Sequence, residues 1–221
     1  MHWVTAFNIL FAFVLRRFGE MHVDESHHAG HSMQVLHHAN RILAEEMKCR
    51  PRMRTLLDSQ SLVIFAAAVA HDTLDHKYCK DESVKETSLH QLHDLLTHNL
   101  SMDARDVDAT LHIIDGMSFS KCRQVGFPTN LGTYTVAFHI VREADLLAAY
   151  DIDRAMLFHL HTQPGSTLAE AYLSAKRVFL DRIAKQYRDG WLQTQYAKRV
   201  APTLHRRSVM RLLQWRRLLR K

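Results

Sequence analysis

"LVIFAAAVAHD", residues 62–72, decides how this chain is to be read. The apolar run Leu62–Ala70 has no polar position on any side, so it predicts a helix sunk in the core. The run then changes within one step to His71-Asp72, followed by Asp75, His76 and Lys77. A buried helix that ends on imidazole, carboxylate and ammonium groups makes a rigid platform for them.

Composition settles the class around that helix. With 7 Gly and 4 Pro in 221 residues, many Leu, Ala, Met and Arg, and no regular β-branched alternation, the chain favours helices throughout. The expected fold is all-α, a single compact helical bundle. Helices are predicted over 3–18, 29–48, 62–71, 83–97, 104–115, 134–160, 168–187 and 208–219. Asp103 is placed to cap the helix that begins after it, Asp115-Gly116 to end that helix, and "PGST" at 164–167 to separate two others. "SFSKCRQVGFPTN", residues 118–130, reads as the one long polar loop. No repeat or Pro/Ser-rich linker marks a boundary, so residues 1–200 are assigned to one domain and 201–221 to a basic amphipathic helix packed on it.

Charge is unevenly spread. Residues 201–221 hold seven basic side chains and no acidic one, which leaves 22 basic against 23 acidic in the rest. The body is therefore near neutral, and an anionic surface or nucleic acid is a conceivable partner only for the tail. Cys49, Cys79 and Cys122 are odd in number and lack any C-x-x-C spacing, which argues against a disulfide framework and for an intracellular, cytoplasmic setting. The apolar stretch Trp3–Leu15 is too short to span a bilayer, and its arginines, Arg16 and Arg17, come after it rather than before. A buried first helix is expected there, and no transmembrane segment.

The chain carries 17 histidines, and most have no pattern that would make them ligands. His71 and Asp72 are exceptions, adjacent at the end of the buried helix. His31 opens a segment in which Val35, Ala39, Ile42 and Leu43 recur at helical spacing, so it begins beside a buried face. Asp145 lies among Val141, Ala144, Leu147 and Ala148, where a carboxylate is costly unless paired or coordinated. Two imidazoles and two carboxylates suit one divalent ion such as Mn²⁺, Mg²⁺, Co²⁺ or Fe²⁺ and leave coordination positions open.

These residues stand in the order His31, His71-Asp72, Asp145, and the chain there resembles the HD-domain metal-dependent phosphohydrolases. "ESHHAGHSMQVLHHA" is similar to that family's opening segment, "AHDTLDHKY" to its H-D-x-x-D-x-K run, "IIDGMSFSK" to its I-x-x-x-S-F-S loop, and "READLLAAYDIDR" to its A-D-x-L helix. The resemblance implies an HD-type bundle with His31, His71, Asp72 and Asp145 as metal ligands. It further implies Asp75 and Lys77 as catalytic groups, with His27, Ser118 and Lys121 meeting the substrate's phosphates. Asp75 would take a proton from the attacking water, and Lys77 would neutralise developing phosphate charge. Small stand-alone members include nucleoside triphosphate pyrophosphohydrolases, so the expected activity is hydrolysis of a small phosphorylated metabolite, a nucleotide first of all. The Gly-rich turn that usually comes after the A-D-x-L motif is replaced by "AAYDIDR", which leaves the substrate open.

Two other readings stand beside this one. A non-catalytic regulatory protein would use the metal site and the Arg-rich tail to hold polyanions. A di-iron oxygenase on the same scaffold would need further ligands, for which His93 and His112 are the candidates.

Overall fold

In the computed structural model, which describes residues 3–24, 26–74, 81–186 and 188–220, helix α4 (Ser61–Ala70) runs through the centre of the bundle. Every residue from Val63 to Ala70 is buried. Four of these are alanines, and their small side chains let the neighbouring helices come close. Helix α2 (Ala29–Cys49) packs on α4 through Val35, Ala39 and Ile42, and α8 (Thr135–Ala148) packs on both through Phe138, Val141 and Ala144. The α2, α4 and α8 trio is the core that positions the site.

The other helices wrap this trio. In chain order they are α1 (Trp3–Glu20), the short α3 (Arg54–Ser59), α5 (Glu82–Asp94), α6 (Ala104–Gly116), α7 (Phe119–Val125), α9 (Ile152–Thr162), α10 (Leu168–Val178) and α11 (Gln195–Leu218). The first apolar stretch forms α1, which buries Leu10, Phe13, Val14 and Phe18 against the bundle. Among the described residues no single helix is long and apolar enough to cross a membrane. The fold is an all-α bundle, as the composition implies.

Three local features depart from the sequence reading. The helix expected over 134–160 is broken at Ala149–Asp151, where the Asp151 carboxylate accepts from the backbone N–H groups of Asp153 and Arg154 at 3.1 and 3.2 Å. The expected loop over 118–130 contains α7, with Cys122 buried beneath it. The last helix begins at Gln195, so the boundary placed at residue 201 falls inside one continuous element. Its basic half is tied down: the Ser208 hydroxyl donates to the Tyr150 carbonyl at 2.5 Å, and Arg211 Nε and Trp215 Nε1 donate to the Asp153 carboxylate at 2.8 and 2.7 Å.

Arg142 and Glu143, adjacent on α8, form a fully buried ion pair at 3.0 Å. Both Glu143 carboxylate oxygens are used further. They accept from the backbone N–H groups of Gln193 and Thr194 at 2.7 and 2.9 Å and from the Thr194 hydroxyl at 2.8 Å. Arg142 lies over the Phe127 ring, 4.5 Å from its centroid, and donates to the Trp191 carbonyl at 2.6 Å. This network holds the start of α11 against the helix that carries Asp145.

Candidate metal centre and its cleft

Helix α4 does not fray at its C-terminus. It tightens into a 3₁₀ turn over His71–Leu74, with the Thr73 hydroxyl donating to the Ala70 carbonyl at 2.7 Å. That turn fixes His71 and Asp72 side by side. His71 Nδ1 lies 3.0 Å from the Ala68 carbonyl, a bond in which the nitrogen must be the donor, so Nε2 presents its lone pair.

His31 enters from the first turn of α2 and Asp145 from α8, and both meet that lone pair. His31 Nε2 stands 3.2 Å from His71 Nε2, 3.2 Å from Asp145 Oδ1 and 3.5 Å from Asp72 Oδ2. His71 Nε2 stands 3.3 Å from Asp72 Oδ2 and 4.0 Å from Asp145 Oδ1. Ligand atoms of His31, His71 and Asp145 all lie within 4.8 Å of one another, the spacing a single ion can bridge. Asp72 closes the group from the α4 side.

The electrostatics fit a cation. Two buried imidazole nitrogens face each other beside two carboxylates, with Asp72 Oδ2 3.3 Å from His71 Nε2 and 3.5 Å from His31 Nε2. Something positive must occupy that space. Without an ion a proton does so: burial disfavours the His71 imidazolium, but the charge and hydrogen bond of Asp72, then Asp145, override it and push His71 up to about 9. Burial, reinforced by the charge of Arg154, takes His31 the other way, down to about 4. Burial also works against both carboxylates, yet His71 and His31 hold Asp72 far below the ordinary range, and the His31 bond with the nearby imidazoles and Arg154 does the same for Asp145. Two nitrogen and two oxygen donors of this kind fit a divalent ion of the Mn²⁺, Fe²⁺, Co²⁺ or Mg²⁺ type.

All four residues line one cleft of about 1430 Å³, walled by α5, α6, α7, α9 and α10. His27, Ser118 and Lys121 line it too, so the sequence reading brings them to the right place. Their states differ. His27 Nδ1 is 2.7 Å from the Ser26 hydroxyl and its ring stands edge-on to His31 and Phe158. Ser118 is exposed at the start of α7, and the Lys121 ammonium is paired with the Asp115 carboxylate. Asp75 and Lys77 lie outside the described residues. His112 lines the cleft, whereas His93 is paired with Asp94 at 3.8 Å.

Residues to which the sequence reading gives no role complete the wall. Lys85, Arg154, Arg177, Arg182 and His159 all face the cleft. Arg154 ends the segment that resembles the A-D-x-L helix, and its guanidinium donates to the Ser26 carbonyl at 3.3 Å. Arg182 has a legible signal. It lies eleven residues after Ala171 and seven after Ala175, on the face of its helix that Ala171, Ala175 and Phe179 bury.

Comparison with known proteins adds the fold alone. No protein-family model and no curated protein matches the chain. The crystal structure of a protein from Lactobacillus plantarum, a structural-genomics target, superposes with a TM-score of 0.68 over 99% of both chains at 21% identity. The helical arrangement is thus one that nature uses elsewhere over its full length.

Proposed function

We propose that this protein is an HD-type, metal-dependent phosphohydrolase of a small phosphorylated metabolite, a nucleotide in the first instance, and a nucleoside triphosphate pyrophosphohydrolase in its most specific form. The observation that carries this reading is the meeting of His31, His71, Asp72 and Asp145 from three separate helices in one cleft. Those four residues match the motif order that the sequence shares with HD hydrolases.

In this reading the four side chains hold one divalent ion, which supplies Lewis acidity toward a phosphoryl oxygen and an activated water. The protein's own groups do the rest. The Ala68 carbonyl holds the His71 ring in the tautomer that leaves Nε2 free to bind. Arg154, whose charge is felt at both His31 and Asp145, balances the negative charge that a phosphate brings into the cleft. Apolar side chains of Leu111, Met117 and Phe158 in the same cleft exclude water from part of it and offer a surface to a base or other flat group. On the resemblance, Asp75 takes the proton of the attacking water and Lys77 meets the phosphate.

The test is a hydrolysis screen on metal-stripped protein with Mn²⁺, Co²⁺ or Mg²⁺ restored, against nucleoside mono- and triphosphates, run beside Asp72→Ala. Metal-dependent release of phosphate or pyrophosphate that the variant lacks supports the reading. Bound metal with no turnover on any of these substrates overturns it.

A further inference from the structure

Helix α10 does not end at Val178. It opens into a π-turn over Phe179–Ile183 and then resumes over Ala184–Gln186. A π-turn adds one residue to the helical ladder and so rotates the residues after it by about 100° relative to an unbroken helix. Such single widened turns are rare, and they gather at functional sites. A second such turn lies at Leu95–Asn99; the one at Phe179–Ile183 places Arg182 and Ile183 on the wall of the cleft.

Arg182 is an unusual arginine. Its guanidinium lies over the Phe119 ring, 4.2 Å from the centroid, which fixes its plane. Its buried Nε has no hydrogen-bond partner, although a buried N–H donor is costly to leave unmet. It lines the same cleft as the metal-ligand residues, and burial lowers its pKa while the Asp145 charge opposes that. Arg154 lies in that wall as well, reached from α9. Two guanidiniums beside a centre built from carboxylates and imidazoles provide donors for an anion larger than one phosphate. Lys121, the group expected to take this part, is already committed to Asp115.

The geometry points to Arg182, with Arg154, as a second anion subsite that holds the phosphate next to the one at the metal centre, so that the cleft selects compounds with two or more linked phosphoryl groups over monophosphates. This rests on the proposed phosphohydrolase reading for the first phosphate and adds the residues that hold the second. Phe119 acts as the positioning residue for the guanidinium. The wall formed by the π-turn is the specificity element.

Calorimetric titration of the full chain with Mn²⁺ tests this, using methylenebisphosphonate, whose P–C–P link resists hydrolysis, against methylphosphonate. Arg182→Gln is expected to weaken the bisphosphonate about tenfold or more, the scale of a charge-assisted bond, and methylphosphonate less than about twofold. Arg182→Lys keeps the charge but loses the planar fork, and it should fall between. Equal weakening of both probes, or no change in either with the variant's thermal unfolding intact, overturns the subsite. The readout is separate from turnover. An Arg182-dependent preference in a protein that hydrolyses nothing would sink the hydrolase reading and keep the subsite, and hydrolysis without the preference would do the reverse.

Discussion

The α2, α4 and α8 trio and the α9–α10 wall face each other across one cleft, and they are built on opposite principles. The trio is dry at its centre: every residue from Val63 to Ala70 is buried, and the buried charges Arg142 and Glu143 are bound into one network. The wall is amphipathic, with Leu157, Leu173 and Leu180 exposed on its outer side and arginines turned inward. A metal centre needs ligands held to within tenths of an ångström, which a packed core supplies. A phosphate chain needs long cationic arms, which can sit on a wetter surface. The difference teaches that affinity for the ion and choice of the substrate are carried by separate layers of the fold.

If that division holds, substitutions in the two layers fail differently. The largest effect belongs to the core ligands. Asp72→Ala or His71→Ala should lower metal content at equilibrium by more than about 100-fold in affinity and remove all metal-dependent turnover, as read by elemental analysis and by the hydrolysis screen. A core variant that retained its metal would break the comparison.

Next in size is the buried ion pair. Glu143→Ala leaves Arg142 charged in the interior and frees the backbone N–H groups of Gln193 and Thr194. It should destabilise the protein by about 3–5 kcal/mol in denaturant unfolding, a loss that added metal does not restore. The pair's role is structural, so a shift in substrate preference without loss of stability would contradict it.

Proton linkage sharpens the comparison at the centre itself. His71 is raised to about 9 by its carboxylate neighbours, so the metal-free protein holds that proton at neutral pH and an ion must displace it. Metal binding at pH 7 should release close to one proton, measured as a buffer-dependent heat, and affinity should climb as pH approaches 9. For the metal-free fold the sign is the reverse: the raised pKa gives stability below its unfolded value of 6.5 that is lost as pH rises through about 9. His31, lowered to about 4, opposes this on the acid side, where stability falls as pH drops from 6.5 toward 4.

The smallest effect is expected on the wall's scaffold. Thr167 and Glu170 form a capping box at the start of α10, with the Glu170 carboxylate accepting from the Thr167 N–H at 2.7 Å. Thr167→Ala should cost about 1 kcal/mol and leave metal content unchanged.

The sequence is most legible where one physical effect dominates. The apolar run 62–70 and the His-Asp step after it can be read directly, because a run this apolar among helix formers must be buried, as Val63–Ala70 are. Asp103 and Thr167 are legible at helix starts, since a short polar side chain before a periodic segment has a local cause. The break at Ala149–Asp151 is hidden because Ala149 and Tyr150 are buried like the helix residues before them, so periodicity runs on through the turn. The early start of α11 is masked by Pro202, which reads as a breaker yet lies inside the helix. At the site, the four ligands are legible from motif order, but the roles of Arg177 and Arg182 are not. The spacing of Arg182 from the buried Ala171 and Ala175 reads as a helix face turned inward, and nothing in Phe179–Ile183 marks the π-turn or the cleft it borders.

Trp191 gives the molecule an optical consequence. Its ring packs on Phe119 at 4.7 Å between centroids, Phe119 supports the Arg182 guanidinium, and its carbonyl is held by Arg142 next to Glu143. It is one of three tryptophans, and the other two, Trp3 and Trp215, are on α1 and α11. An anion that engages Arg182 where it lies on Phe119 therefore changes the charge close to one of the three indoles, that of Trp191. The chain contains its own emission reporter for the occupancy of its cleft.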